Sequence, residues 1–355
     1  MAISRGRSGQ QRLLVGVLVV LALSAFPFVL ALLTGEAVDA GTPKFWQGML
    51  AQVFIWAVFA MSYDLLMGYT GLLSFGHAMF FGTGAYVAGI GLTSAGWSLW
   101  QVVPAVLLVS LLQGLLIGVL SLRVRGVYLT MVTLAFAQMF FILSEATDFR
   151  QWTGAEDGLH NMPIPDWMNP TDQRLRFYFI ALGFAVLSYI VLRRVVDSPS
   201  GKVMVAIREN EGRAGMIGYN TFVYKLMAVL ISGVFASLAG LMIALWNLSA
   251  NPTMLSAGTT INALLMTIIG GVGTLVGPIL GAGVFQLLGY WLNSTFGPRW
   301  PLIFGTVFIL IVLFFPYGLV GTWQLRRNSW RRVWAERFGK AGSVVAKQVE
   351  PPGGV

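Results

Sequence analysis

Apolar runs bounded by charged or Gly/Pro-rich breaks recur ten times along this chain, at about 13–33, 49–68, 72–93, 100–121, 127–146, 175–196, 223–249, 259–272, 275–294 and 300–320. A helix needs about 20 apolar residues to cross a hydrocarbon core, and an open strand edge is not tolerated in lipid. The expected fold is therefore all-α, a polytopic integral membrane protein with about ten transmembrane helices. Charged residues are 10% of the 355-residue chain, against 56% hydrophobic. That is too little charge to cover a soluble domain.

The basic residues test this layout independently of hydropathy, because lysine and arginine collect on the cytoplasmic side. With the N-terminus inside and the spans alternating, 18 of the 23 basic residues fall inside, leaving Lys44, Arg150, Arg174, Arg176 and Arg299 outside. Both termini are accordingly expected in the cytoplasm. The expected organisation is a basic N-terminus at 1–12, a transmembrane domain at 13–323 and a basic, partly disordered tail at 324–355. The net charge of +9 reads as membrane orientation, not as a nucleic-acid partner. The first run, 21 residues from Leu13 to Leu33, exceeds the usual core of a cleavable signal peptide and reads as a span.

Several chemistries are excluded at this level. The chain has no cysteine, hence no disulfide and no thiol catalysis. His77 and His160 are too few and too far apart for a histidine metal cluster. No G-x-x-x-x-G-K-[ST] phosphate loop occurs, so any ATPase that drives the protein has to be a separate subunit.

Two connections stand out. The segment 197–222 opens with the turn Ser198-Pro199-Ser200-Gly201 and continues from Lys202 to Met216 at helical spacing. Val203, Met204, Ile207 and Ala214 share one side; Arg208, Glu209, Glu211 and Arg213 share the other. Gly218, helped by Asn220, supplies a stop. Such a helix is either a solvated loop with local ion pairs or a coupling helix that transmits motion from a cytoplasmic motor. The segment 147–174 carries Trp152, Asp157, Pro163, Pro165, Asp166 and Trp167, and suits either a docking surface or an interfacial loop with tryptophan anchors.

Five segments carry a family resemblance. They are Gly68-Tyr-Thr-Gly-Leu-Leu-Ser-Phe-Gly-His-Ala-Met-Phe-Phe81, Trp152-Thr-Gly-Ala-Glu-Asp-Gly-Leu159, Ala206-Ile-Arg-Glu-Asn-Glu211 with Gly218, Ile269-Gly-Gly-Val-Gly-Thr-Leu-Val-Gly-Pro278 and Phe315-Pro-Tyr-Gly-Leu-Val-Gly321. In this order the chain resembles the membrane subunits of branched-chain amino-acid ABC importers, a family that also includes urea and short-chain amide permeases. The resemblance implies a permease of the bacterial inner membrane that works with a second permease subunit, two ATPase subunits and a periplasmic binding protein. It implies no cofactor on this chain, with ATP on the partner ATPases. The stretch Arg208, Glu209, Asn210, Glu211, Arg213, Gly218 then corresponds to the ATPase-coupling loop. It departs from the general importer pattern in Gly212-Arg213-Ala214 after Glu211 and in lacking the Ile-x-Leu-Pro ending.

Inside the membrane, Asp64 and the glycine-rich breaks are the candidate pathway residues: Gly68, Gly71, Ser74, Gly76 and His77 at the first, and Gly270, Gly271, Gly273 and Gly277 at the second. An intramembrane carboxylate costs about 2.5–3.5 kcal/mol on insertion scales, so Asp64 either pairs with His77 or a backbone group, or faces a pathway. Glycines here admit helix breaks or close packing, as do Gly114-x-x-x-Gly118 and Gly277-x-x-x-Gly281. The two breaks do not fall at matching helix numbers, which argues against an inverted repeat. Gln138, Asn247, Asn262 and Gln286 are expected to hydrogen-bond neighbouring helices. No chain of carboxylates crosses the membrane, against a proton-coupled transporter. A passive channel for a neutral solute and a membrane enzyme would also suit a chain of this composition, and neither has a motif in its favour.

Overall fold

A computed structural model describes residues 4–315 and 317–322; the expected tail at 324–355 lies outside them. The fold is all-α. Helix α1 (Ser4–Thr34) precedes α2 (Gly41–Asp64), whose last turns widen into a π-helix at Leu65–Tyr69. Then follow α3 (Ala78–Thr93), α4 (Leu99–Ser121), α5 (Val127–Glu145), the single turn α6 (Arg150–Thr153), α7 (Arg174–Asp197) and α8 (Pro199–Met216). The chain continues through α9 (Thr221–Asn247), α10 (Ala257–Gly270), α11 (Val276–Phe296) and α12 (Trp300–Phe314). Among the described residues, seven segments are long and apolar enough to span a membrane, the last of them a run that includes both α11 and α12; α3 and α10 are shorter apolar helices. A 16-residue and a 14-residue helix rise only about 24 and 21 Å at 1.5 Å per residue.

The shortness of α3 and α10 has one cause. The third span, expected from residue 72, becomes helical only at Ala78, because 70–77 is non-helical. Likewise 248–256 interrupts the chain before α10, with a two-residue strand and a short 3-10 turn. The amino-terminal ends of the two short helices meet inside the bundle, where the Ala78 amide donates to Thr260 Oγ1 at 2.8 Å. From there α3 runs alongside α9, with Ser237 donating to the Phe80 carbonyl. Helix α10 runs alongside α2, with Thr267 reaching the Ala60 carbonyl. The two short helices therefore leave a common centre in opposite directions.

This arrangement makes the second half an inverted copy of the first. Long helix, break, short helix and two further helices occur as α2–α3–α4–α5 and again as α9–α10–α11–α12. Helix α4 packs on α9 as α11 packs on α2, and α3 packs on α4 as α10 packs on α11. The mismatch expected from the sequence arose from pairing the wrong breaks. The counterpart of 65–77 is 248–256, which has no glycine, whereas 271–275 is the hairpin between α10 and α11.

The main core lies between α2, α3, α7 and α9, around Phe59, Tyr63, Phe81, Phe177 and Tyr178. Gly114 and Gly118 seat α4 against Leu230 and Leu226 of α9, and Gly281 lies against the Met266 backbone of α10. Both are the close contacts that small-xxx-small spacing predicts. At one end of the bundle, β1 (Leu159–His160) pairs antiparallel with β2 (Ser249–Ala250). The breaks at 65–77 and 271–275 gather with α8 at the other end.

Candidate functional site

Helix α8 is longer and less regular than its sequence suggests. Ser198-Pro199-Ser200-Gly201, expected as a turn, starts the helix. Ser198 accepts from the Gly201 amide at 3.2 Å, and Pro199 takes the first helical position, where its missing N–H leaves no bond unmade. The helix kinks at Asn210, which has extended backbone angles and caps the second piece by accepting from the Arg213 amide at 2.9 Å. Gly218 ends it at φ +99°, a conformation that favours glycine. Asn220 caps α9 instead, accepting from the Val223 amide.

The apolar side of α8 is the expected one: Val203, Met204, Ile207 and Ala214 are buried. The polar side divides. Glu209, Asn210 and Arg213 face outward with Met216 and Ile217. Arg208 and Glu211, expected to join them, instead turn their charged ends toward the bundle. The Arg208 guanidinium donates to the Gly68 carbonyl. Glu211 receives Lys225 Nζ at 2.6 Å and the Thr221 hydroxyl at 3.2 Å, both from α9, with Arg125 at 3.9 Å. Partial burial alone raises the Glu211 pKa, but the hydrogen bond from Lys225 and the Lys225 and Arg125 charges outweigh it and hold the carboxyl below its ordinary value. Lys225 gave one sequence signal, a lysine inside an apolar run.

Asp64 is fully buried at the end of α2. It does not pair with His77. Its two oxygens accept from the backbone amides of Gly273 at 2.6 Å and Leu275 at 3.1 Å, across the α10–α11 hairpin. A carboxylate offers several acceptor sites and suits a turn whose amides have lost their helical partners. Gly68 makes room for the arrangement: a Cβ there would strike both the Asp64 carboxylate and the Gly273 nitrogen. Gly273 takes φ +76°. Thus α2, the hairpin and α8 are tied at one point, Arg208 to Gly68 and Asp64 to Gly273.

His77 has a different partner. Its Nε2 lies 2.8 Å from Ser62 Oγ, and its ring packs against Phe59, Tyr63 and Phe80. Ser74 accepts from the Gly76 amide, and Gly76 abuts the Thr133 backbone of α5. Gly71 lies against the Arg208 side chain, Gly270 and Gly277 pack backbone to backbone, and Gly271 adjoins the Tyr317 carbonyl. Asp64, Gly68, Gly71 and the hairpin glycines therefore gather around Arg208, whereas Ser74, Gly76 and His77 pack on α5 and α2, and Gly218 stands apart from both. Of the four membrane amides expected to bond neighbouring helices, Gln138, Asn247, Asn262 and Gln286, none hydrogen-bonds a described residue. Gln113, bonded to Thr83 of α3, fills that role instead, while Gln47 reaches the Val38 carbonyl in the turn before its own helix.

Residues 46–315 match the family described as branched-chain amino acid transport system / permease component. The chain belongs to this permease family. Among its relatives is the high-affinity branched-chain amino acid transport system permease protein LivM of Salmonella typhimurium, 27% identical over 89% of this chain and 76% of the relative. LivM of Escherichia coli matches with the same identity and coverage. The ribose import permease protein RbsC of Haemophilus influenzae is 26% identical over 69% of this chain and 76% of its own length. No solved structure matches the chain. The permease is a multi-pass membrane subunit of an ABC importer and a transport component rather than an enzyme.

Proposed function

We propose that this permease moves branched-chain amino acids inward across a bacterial inner membrane, driven by ATP hydrolysed on two separate ATPase subunits that dock on α8. The observation that carries the coupling part is the double tie of α8. Arg208 holds the break after α2, and Glu211 holds α9, so displacement of α8 loads both long helices of the inverted repeat. The outward face, Glu209, Arg213, Met216 and Ile217, is left for the motor. Counting α11, α12 and the two short helices as crossings gives ten spans with both termini in the cytoplasm. A second permease subunit completes the pathway, and a periplasmic binding protein delivers solute at the face that bears 147–174. This chain binds no cofactor in this scheme. The LivM relatives favour amino acids over the sugars of the more distant permeases; urea and short amides are the next candidates.

Reconstitution tests the proposal. Leucine uptake into proteoliposomes should require all the subunits and ATP. Arg213→Glu with Glu209→Lys should abolish uptake while the membrane subunits still assemble. Uptake by this chain alone under a pH gradient would overturn the proposal and favour proton coupling, although Asp64, with both oxygens on backbone amides, is poorly placed to exchange protons.

A further inference from the structure

The break 248–256 borders a cleft of about 420 Å³ that the coupling reading leaves unused. Its walls come from both halves of the inverted repeat: Trp56 of α2, Phe81 of α3, Ile243 and Asn247 of α9, and Asn262 of α10, closed by Met254 from the break. The size suits a small solute, since ligand sites generally run from about 300 to 1,000 Å³. No charged side chain is among the described residues that line it.

The hydroxyls of this cleft are paired, Thr253 with Asn251 and Thr259 with the Thr253 carbonyl. The side chains of Asn247, which is exposed, and Asn262, which is half-buried, bond no described residue and stand open to the cleft. Both line the same cleft, from helices on either side of the break. A carboxamide donates and accepts through the same head, so two of them can meet an ammonium and a carboxylate without a fixed charge of their own. Trp56, Phe81, Ile243 and Met254 offer apolar surface in the same space. A solute with net charge would enter this neutral cleft uncompensated. A solute whose charges cancel, with an aliphatic body, matches both kinds of wall.

We infer that this cleft receives the transported solute, with Asn247 and Asn262 contacting the head of a zwitterionic aliphatic amino acid and Trp56 and Phe81 packing its side chain. The inference rests on the amino-acid reading proposed for the permease, and supplies the residues that apply it within the membrane.

The cysteine-free sequence allows a direct test. Thr253→Cys, in the assembled transporter, is exposed in spheroplasts to a membrane-impermeant maleimide, with leucine, lysine or ribose present. Labelling that leucine slows and the other two do not is the expected result. Asn247→Leu and Asn262→Leu, each combined with Thr253→Cys, should raise the leucine concentration for half-maximal protection about tenfold, the loss of one hydrogen bond's worth of binding. Gln138→Leu, an amide away from the cleft, should leave it unchanged. Labelling that no solute slows, in a transporter that still imports leucine, overturns the cleft as the solute site and leaves the amino-acid reading standing. Protection by ribose in place of leucine overturns the amino-acid occupant and, with it, the reading on which the inference rests. Absence of labelling overturns the open cleft.

Discussion

The break after α2 and the break after α9 occupy equivalent places in the inverted repeat, yet they are built from opposite materials. At the first, a buried carboxylate, an arginine and close-packed glycine backbones account for each other. At the second, neutral amides and hydroxyls stand around about 420 Å³, two of the amides bonded to no described residue. The contrast follows from hydrogen-bond accounting. A broken helix strands backbone donors that must find partners away from water. Asp64 meets that need at the α10–α11 hairpin and so makes that end rigid. The end left open has polar groups free to meet a solute.

The contrast breaks most severely if the closed end loses its carboxylate. Asp64→Ala leaves the Gly273 and Leu275 amides buried without an acceptor, about 1–3 kcal/mol each. The thermal midpoint of the detergent-purified subunit should fall steeply, and Asp64→Asn, which keeps one acceptor, should lose less. An Asp64→Ala protein as stable as the parent would mean that the clasp does not hold this end closed. Arg208→Ala should cost about 1.5–3 kcal/mol, as for a hydrogen bond from a charged donor. Its mark should be uncoupling, with ATP hydrolysis by the complex continuing while leucine uptake drops.

Asn210→Ala removes the internal cap of α8 and should cost about 1 kcal/mol. Hydrogen exchange should show the loss confined to 211–216, with Asn210→Asp restoring protection. The Glu211–Lys225 pair gives a weaker, pH-dependent effect. Because the folded-state pKa of Glu211 is lowered, its contribution is complete above the ordinary glutamate value of 4.5 and fades as pH falls through the lowered one. The acid side of the stability profile should therefore be shallower in Glu211→Gln, with the two proteins converging at the lowest pH. At the open end the effect on stability should nearly vanish. Asn262→Leu breaks no hydrogen bond to a described residue, and its midpoint should move by less than the equivalent of about 0.5 kcal/mol. A large drop there would mean that the open end is as tightly bonded as the closed one.

The all-α membrane architecture, the apolar side of α8 and the helix break that follows Asp64 were legible in the sequence, because each is a matter of local composition and period. Long apolar runs have no other stable form in lipid, and Val203, Met204, Ile207 and Ala214 mark a face whatever covers it. Partners were another matter. Asp64 near His77 in sequence suggested a pair, but the acceptor was needed some two hundred residues away, where a hairpin exposed two amides. Glu211 read as solvent-facing until α9 brought Lys225 to it. Ser198-Pro199-Ser200-Gly201 suits a turn and a helix start equally, and only the direction of α7 into α8 chose between them. The inverted repeat stayed hidden because the break after α9 contains no glycine to announce it. Hydropathy reports which residues leave water, one segment at a time. Which donor meets which acceptor depends on helices meeting across the bundle, so the clasp and the cleft were decided by tertiary structure.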